Sequence, residues 1–194
     1  IATNTLIWPE QVNVVAGQAI NITAALGFNP VLDAKATSSD QRRHFTVAAA
    51  GSLSIKGPKM TLRGGYVDGI NGGCVLNAGT LTTENVMFQT NRADKGGAVY
   101  SSGDSSVLAL SNTTFATNQA STSGYAYGGD LYVASGKLLL FGSDSTFQST
   151  TKHGAYVPVN IVPLKVHVST WTKPTCGTGE HVAAAPVLLR NQKD

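Results

Sequence analysis

The residue types that most often carry nucleophilic or metal chemistry are present in this chain, but they do not cluster. The four histidines are His44, His153, His167 and His181. No two of them stand at the spacing of a shared metal ion, and no Gly-x-Ser-x-Gly turn presents a nucleophilic serine. Cys74 and Cys176 are too few for a disulfide framework. They form one internal bridge, or Cys74 is simply a small packed residue.

Two glycosylation sequons are the other chemical signal, at Asn21-Ile22-Thr23 and at Asn112-Thr113-Thr114. Asn21 stands between two apolar residues that should face a core, so its side chain should face outward. Asn112 lies in an expected turn. We therefore expect both asparagines to accept a glycan if the chain passes through a eukaryotic secretory route.

Composition excludes several classes of protein. The chain has 194 residues, of which 13% are charged, and a net charge of +3. This argues against a coiled coil, a helical bundle and a charge-rich disordered segment. No apolar run approaches the roughly 18 residues of a membrane span. The single basic cluster, Arg42-Arg43-His44, is expected to be a solvated turn, so a nucleic-acid partner is not expected.

The elements that must position these residues are set by two short blocks that alternate along the chain. The first block is a glycine pair: Gly72 and Gly73, Gly96 and Gly97, Gly128 and Gly129. The second has the form Phe-x-x-Asn: Phe88 with Asn91, Phe115 with Asn118, and Phe147, where Thr150 replaces the asparagine. Leading apolar residues recur between the blocks at Ile20, Leu53, Leu81, Leu108 and Leu138. Such a period predicts a repeat architecture.

Alternating apolar residues within each repeat predict short strands with one buried face. Counting back from the phenylalanines places Met60 in the Phe position and Val47 opposite Val75. A unit made only of strands cannot bury its apolar face alone, so it must stack on its neighbours. We predict an all-β parallel β-helix, or solenoid, of five to six coils, with Asn85, Asn112 and Asp144 stacked as a polar ladder at a turn.

The repeats carry a resemblance to known proteins. Residues 96–100 followed by residues 115–118 resemble the repeats of chlamydial polymorphic outer membrane proteins and similar proteins of the pectin-lyase-like superfamily. Residues 43–65 are similar to the opening coils of that group. The resemblance covers about residues 12–157. It implies a right-handed parallel β-helix and an extracellular or cell-surface location.

The ends of the chain leave the repeat. Residues 1–14 are expected to be an N-terminal cap or an exchanged strand, residues 15–157 the β-helix, and residues 158–194 C-terminal strands and a tail. Residues 173–180 resemble the lead-in to cysteine-rich segments of large extracellular proteins, which implies a further segment beyond. Because the sequence begins with Ile1, a mature form or an excised fragment is expected.

An enzyme of the resembled superfamily would carry several acidic or basic residues on neighbouring coils. Here the stacked positions place Asp130 over Ala98 over Cys74, which provides one carboxylate. Other aspartates fall in turns at different coil positions: Asp94, Asp104 and Asp144. No catalytic, cofactor-binding or metal-binding residue is therefore expected, and no cofactor.

The expected function is that of a non-enzymatic extracellular structural or adhesive module, which self-assembles into a surface filament or joins another surface protein. One alternative is a glycan-binding module, since four tyrosines should cluster near one corner: Tyr100, Tyr125, Tyr127 and Tyr132. A second alternative is a pectin-lyase-like carbohydrate-active enzyme. An ice-binding face is a third, weakened because the threonines do not repeat at matched positions.

Overall fold

The computed structural model describes residues 4–121 and 128–141 and the backbone of residues 146–148 and 155–156. Within these residues the chain forms seventeen strands and no helix. The strands are β1 (Thr5–Ile7), β2 (Val12–Val14), β3 (Ala19–Thr23), β4 (Val31–Asp33), β5 (Phe45–Val47), β6 (Ser52–Arg63), β7 (Val75–Asn77), β8 (Thr80–Gln89), β9 (Arg92–Ala93), β10 (Val99–Ser101), β11 (Val107–Ser111), β12 (Thr114–Ala116), β13 (Gln119–Ala120), β14 (Leu131–Val133), β15 (Lys137–Phe141), β16 (Thr146–Gln148) and β17 (Ala155–Tyr156).

The strands stack into parallel sheets that run along one axis. A nine-stranded sheet has the order β1-β4-β6-β8-β11-β15, with β3 beside β6, and with β12 linking β8 to β16. A six-stranded sheet has the order β17-β14-β10-β7-β5-β2, and β13 pairs with β9 in a third. Each turn of the chain adds one strand to the six-stranded sheet, and one long strand or two short ones to the nine-stranded sheet. The protein is thus an all-β parallel β-solenoid of about five turns, as the repeats predict.

The core consists of columns of like side chains that follow the solenoid axis. Ile20 pairs with Leu53, Leu53 with Leu81, Leu81 with Leu108, and Leu108 with Leu138. These are the five leading apolar positions, so this register is confirmed. In a second column Phe88 and Phe115 stack with ring centroids 5.1 Å apart. Both rings are fully buried.

Two register predictions are wrong. Met60 lies opposite Val86, and Leu62 lies opposite Phe88, because the register of β6 against β8 shifts between Lys56 and Met60. The extra residues 57–59 form a bulge that constant spacing does not reveal.

The second error is at Val47, which lies opposite Asn77 and not opposite Val75. The partner of Val75 is Phe45. Both predictions assumed one spacing for every coil, whereas this coil is longer on one side.

The glycine pairs form the tight corner between the sheets. Gly96 has φ of +60°, a left-handed conformation that glycine adopts without strain. At Gly97 an added Cβ would overlap the carbonyl oxygen of Gly129 one coil away. The first glycine is needed for its backbone conformation, and the second because neighbouring coils touch there.

The N-terminal segment expected to cap the solenoid pairs with the chain's own coils. Strand β1 pairs in parallel with β4, and β2 with β5, so residues 5–14 extend both large sheets by one strand. Trp8, in the link between them, packs on Phe45 with ring centroids 5.4 Å apart. The C-terminal segment of residues 158–194 lies outside the described residues.

Candidate functional site

The N-terminal end of the solenoid is an open strand edge. No strand in residues 4–121 or 128–141 pairs with the outer edge of β1, β2 or β3. The backbone nitrogen of Trp8 donates to the carbonyl of Asp33 (2.8 Å), and that of Ala24 to the carbonyl of Lys56 (2.9 Å). The backbone groups of successive residues in a strand point to opposite edges of the sheet. The N–H and C=O groups of Ile7 and Asn21 therefore lie in the plane of the sheet and point to its open edge. They are ready to pair with another strand.

The side chains at this end are apolar and uncovered. Among the described residues seven large hydrophobic side chains are exposed, and five of them fall within residues 6–28. Their exposed fractions are 55% for Leu6, 49% for Ile7, 50% for Val15, 89% for Leu26 and 48% for Phe28. Leu6 lies opposite Leu32, which is 4% exposed. A core column therefore ends in solvent, which is a feature of interaction surfaces.

A tight turn carries the most exposed of these residues. The backbone nitrogen of Phe28 donates to the carbonyl of Ala25 (3.2 Å), and Gly27 has φ of +83°. Leu26 is thereby held at the tip of the turn. The turn joins β3 to β4, and the nitrogen of Val31 donates to the carbonyl of Asn4 (3.0 Å), which places the start of β1 beside it. The apolar turn and the open edge belong to one surface.

A second group of polar residues is buried at a corner of the solenoid. Asn91 donates from its backbone nitrogen and from Nδ2 to Oδ1 of Asn118, and each of these hydrogen bonds is 3.0 Å long. The nitrogen of Gly65 donates to Oδ1 of Asn91 (2.9 Å), and Nδ2 of Asn118 donates to the carbonyl of Phe88 (3.0 Å). The asparagine of the Phe-x-x-Asn block thus links the turns of three coils. This ladder is structural, because both side chains are inaccessible to solvent.

Asp130 completes this buried corner. Its Oδ1 accepts from Nδ2 of Asn118 (2.9 Å), while its Oδ2 is buried without a partner. Burial raises the pKa of this carboxyl to about 7, although the hydrogen bonds from Asn118 favour the ionised form. The nitrogen of Ala98 donates to the carbonyl of Asp130, and that of Cys74 to Ala98, so the predicted stack of these three residues is confirmed. Because Asp130 is fully buried, it offers no accessible acid.

The basic cluster expected at a solvated turn is largely interior, so that expectation is wrong. Arg43 is 5% exposed and His44 fully buried, and only Arg42 reaches the surface, where it pairs with Asp40 (2.7 Å). The Nε and Nη1 atoms of Arg43 are buried without hydrogen-bond partners, and burial lowers the pKa of the guanidinium. The segment enters the core because β5 begins at Phe45, directly after it.

One close pair was missed in the sequence: His44 and Cys74. Nδ1 of His44 lies 3.3 Å from Sγ of Cys74, and Nε2 lies 3.0 Å from the carbonyl of Leu32. A carbonyl only accepts, so Nε2 carries the imidazole proton and Nδ1 accepts from the thiol. Burial lowers the pKa of His44 to about 4 and raises that of Cys74 well above its usual range. The pair is therefore neutral, and the thiol is not a nucleophile. Cys176 lies outside the described residues, so the predicted bridge stays a prediction.

Both predicted glycosylation sites lie at the surface. Asn21 is exposed between the half-buried Ile20 and Ile22 on β3. Asn112 is exposed with φ of +43°, and its Nδ2 donates to Oδ1 of Asn85 one coil away (3.3 Å). The step from Asn85 to Asn112 of the predicted polar ladder is thus confirmed, whereas Asp144 lies outside the described residues.

Two of the four tyrosines expected at one corner are described, and they do lie together. The rings of Tyr100 and Tyr132 stack with centroids 5.3 Å apart at 11°. Nζ of Lys95 lies 5.5 Å from the centre of the Tyr132 ring. Tyr125 and Tyr127 lie outside the described residues.

The described residues contain neither a metal-binding cluster nor a membrane-spanning helix. In the parts of the chain with defined positions, no group of three or more His, Cys, Asp or Glu side chains is arranged to hold a metal ion. Nor does that part contain a helix of the length and apolar character that a bilayer span requires. Four residues that the sequence analysis considered for catalysis or metal binding lie outside the described residues: Asp144, His153, His167 and His181.

Comparison with protein-family models, with curated proteins and with solved structures finds no match to this chain.

Proposed function

We propose that the protein is a non-enzymatic structural or adhesive module of the extracellular surface, and that it assembles through its N-terminal edge with itself or with a neighbouring surface protein. One observation carries the proposal. The backbone edge of β1 and β3 and the uncovered apolar side chains around it lie on the same surface. A strand that pairs there would satisfy the backbone groups and bury the apolar residues together.

The rest of the solenoid suits this role. Buried hydrogen bonds such as that of Asn91 with Asn118 join neighbouring coils, which stiffens the support for a binding end. The net charge of +3 over 194 residues is a weak barrier to association. We further propose that the solenoid is right-handed and of the pectin-lyase-like type, with repeats like those of polymorphic outer membrane proteins. The glycine-pair and Phe-x-x-Asn blocks support that assignment.

The test is to place a charge on the edge. Leu6→Lys and Leu26→Lys put an ammonium group in the apolar surface, whereas Phe141→Lys alters a side chain of similar exposure (44%) in β15. Sedimentation of the full chain should show assemblies that the first two variants lose and the third retains. Retention on surface material from the source cells should follow the same order. A monomeric chain that is also not retained on such material contradicts the proposal.

A glycan-binding module is the second candidate, favoured by the stacked rings of Tyr100 and Tyr132 beside Lys95. Aromatic faces pack on the apolar faces of sugars. Titration with soluble polysaccharides should quench tyrosine fluorescence in the intact chain and not in Tyr100→Ala. Tyr66→Ala is the matched control, because Tyr66 contacts a different cation, Arg92 (5.2 Å). Absence of quenching across acidic and neutral polysaccharides removes this candidate.

A further inference from the structure

We propose that the partner at the N-terminal edge is a second copy of this chain, joined edge to edge in the nine-stranded sheet about a two-fold axis perpendicular to that sheet. This inference rests on the proposed assembly function and names its partner. The result is a closed, antiparallel dimer and not an open filament.

The shape of the edge is self-complementary. Strand β3 pairs with the first part of β6, while β4 pairs with its last part and β1 pairs with β4 in turn. The sheet is therefore one strand wider over β4 than over β3. Rotation by 180° about the sheet normal exchanges the two sides. Strand β1 of each copy then lies beside β3 of the other copy, in the space that the narrower part of the sheet leaves open. The face of the sheet that points to the core in one copy stays on the same side as the core-facing face of the other.

The backbone groups on this edge are directed for such pairing. The N–H and C=O groups of Thr5 and Ile7 in β1, and of Asn21 in β3, point to the open edge of the sheet. Their even-numbered neighbours hydrogen-bond to β4 or β6 on the other side. The six-stranded sheet ends one layer earlier, at β2. The two copies therefore meet strand to strand only in the larger sheet.

The apolar residues at this end suit a contact between two copies of the same end. Five of the seven exposed large hydrophobic residues in the described chain lie at this end, and only Phe141 belongs to β15 on the far side of the nine-stranded sheet. A contact between two copies of the same end buries both.

The turn of residues 25–28 lies where the axis would pass. It joins β3 to β4, and Leu26 at its tip is 89% exposed. Under the two-fold the two copies of Leu26 approach each other, as do the two copies of Asn4, since β1 begins at this point of the sheet. The most exposed apolar side chain thus lies at the centre of the contact, where hot spots of interfaces concentrate.

Light scattering coupled to size exclusion tests the oligomeric state of the unglycosylated chain of 194 residues. Its mass should be twice the monomer's 20.1 kDa. Ile7→Pro removes an edge-facing N–H without touching the bonds of β1 to β4, so it should give a monomer that keeps the far-ultraviolet circular dichroism spectrum of the wild type. Phe141→Ser should remain a dimer. A dimeric Ile7→Pro variant overturns the inference.

Cross-linking tests the symmetry. In a Cys176→Ser background, Asn4→Cys should form a covalent dimer in high yield with a short bismaleimide, whereas Lys137→Cys in β15 should not. Cys74 is buried and gives the blank. Filaments, or a Lys137→Cys cross-link to a second copy, overturn the head-to-head arrangement and leave the assembly function standing. A monomer that binds another surface protein through the same edge also overturns the head-to-head dimer and leaves the assembly function standing. A monomer that binds no partner overturns the dimer and the assembly function together.

Discussion

Asn118 and Asp130 share a hydrogen bond of 2.9 Å at a corner of the solenoid where neither side chain reaches solvent. The other carboxyl oxygen of Asp130 is buried without a partner, and the pKa of the carboxyl is raised from 3.8 to about 7. Between those pH values the folded chain keeps a proton that the unfolded chain has released. Acidification through this window therefore stabilises the fold, by up to about 4 kcal/mol.

Asp130→Asn should abolish this dependence of the free energy of unfolding on pH. The amide oxygen can still accept from Asn118, but nothing titrates. The free energy of unfolding of the variant, relative to the wild type, should increase by up to about 4 kcal/mol from pH 4 to pH 7 and then level off. Urea unfolding at a series of pH values measures it. A difference that does not vary with pH would show that Asp130 is ionised throughout.

His44 should act in the opposite direction. Its pKa falls from 6.5 to about 4 on folding, because burial disfavours the charged form. The unfolded chain therefore takes up a proton that the folded chain refuses, and stability present above pH 6.5 is lost as the pH falls towards 4, by about 3 kcal/mol. His44→Gln should remove this loss. Because the two terms oppose each other, the wild type should vary little over this range, and each single variant should reveal the slope of the residue that remains.

Phe115→Ala should cost about 3–5 kcal/mol of unfolding free energy, the usual effect of emptying a buried aromatic site. The ring is fully buried against Phe88, at 5.1 Å between centroids. Phe141→Ala is the matched control, because that ring is 44% exposed, and should change stability by under about 1 kcal/mol. Equal effects of the two substitutions in chemical denaturation would contradict the assigned core.

The two asparagine ladders should differ sharply in their contribution to stability. Asn118→Ala leaves the buried backbone nitrogen of Asn91 without its acceptor and removes the side-chain donor to Asp130, which should cost about 3 kcal/mol. Asn112→Ala removes an exposed contact of 3.3 Å to Asn85 and should cost under about 1 kcal/mol. The melting temperatures of both variants, compared with that of the wild type, measure the two contributions. A larger loss for Asn112→Ala would reverse the assignment of which ladder holds the coils.

Glycan should be found on Asn112 and Asn21 when the chain is secreted from a eukaryotic cell. Both side chains are exposed, and each is the first residue of a sequon. Peptide mass analysis with and without glycosidase measures the occupancy, with Asn85 as the control because it has no sequon. Unmodified peptides at both sites would contradict the prediction.

The sequence predicts the fold well where each coil repeats the same alternation of apolar and polar residues. The column from Ile20 to Leu138 follows from counting, because each coil repeats the same alternation. The same counting fails at Met60, since a bulge adds residues without changing the alternation on either side of it.

The buried polar groups are harder to predict from the sequence. The stack of Asp130, Ala98 and Cys74 follows from the glycine blocks, and one further step back along that column would have reached His44. The bond between Asn118 and Asp130 joins opposite sides of a corner, and no spacing rule encodes it. The open edge at β1 depends on pairings that composition does not report. Both require the backbone path and not the residue pattern alone.

The parallel stacking has a consequence for how the chain folds. Strand partners lie one coil apart, 27 residues from Leu81 to Leu108 and 30 from Leu108 to Leu138. Loop closure therefore costs about the same entropy at every coil, whatever the length of the array. Once one coil has formed, its edge is a template on which the next can be laid down, so structure should spread along the axis as a front. A nascent chain emerging from its N-terminus would meet its partners in the order of synthesis, and a whole coil could be gained or lost in evolution without changing the folding route of the others.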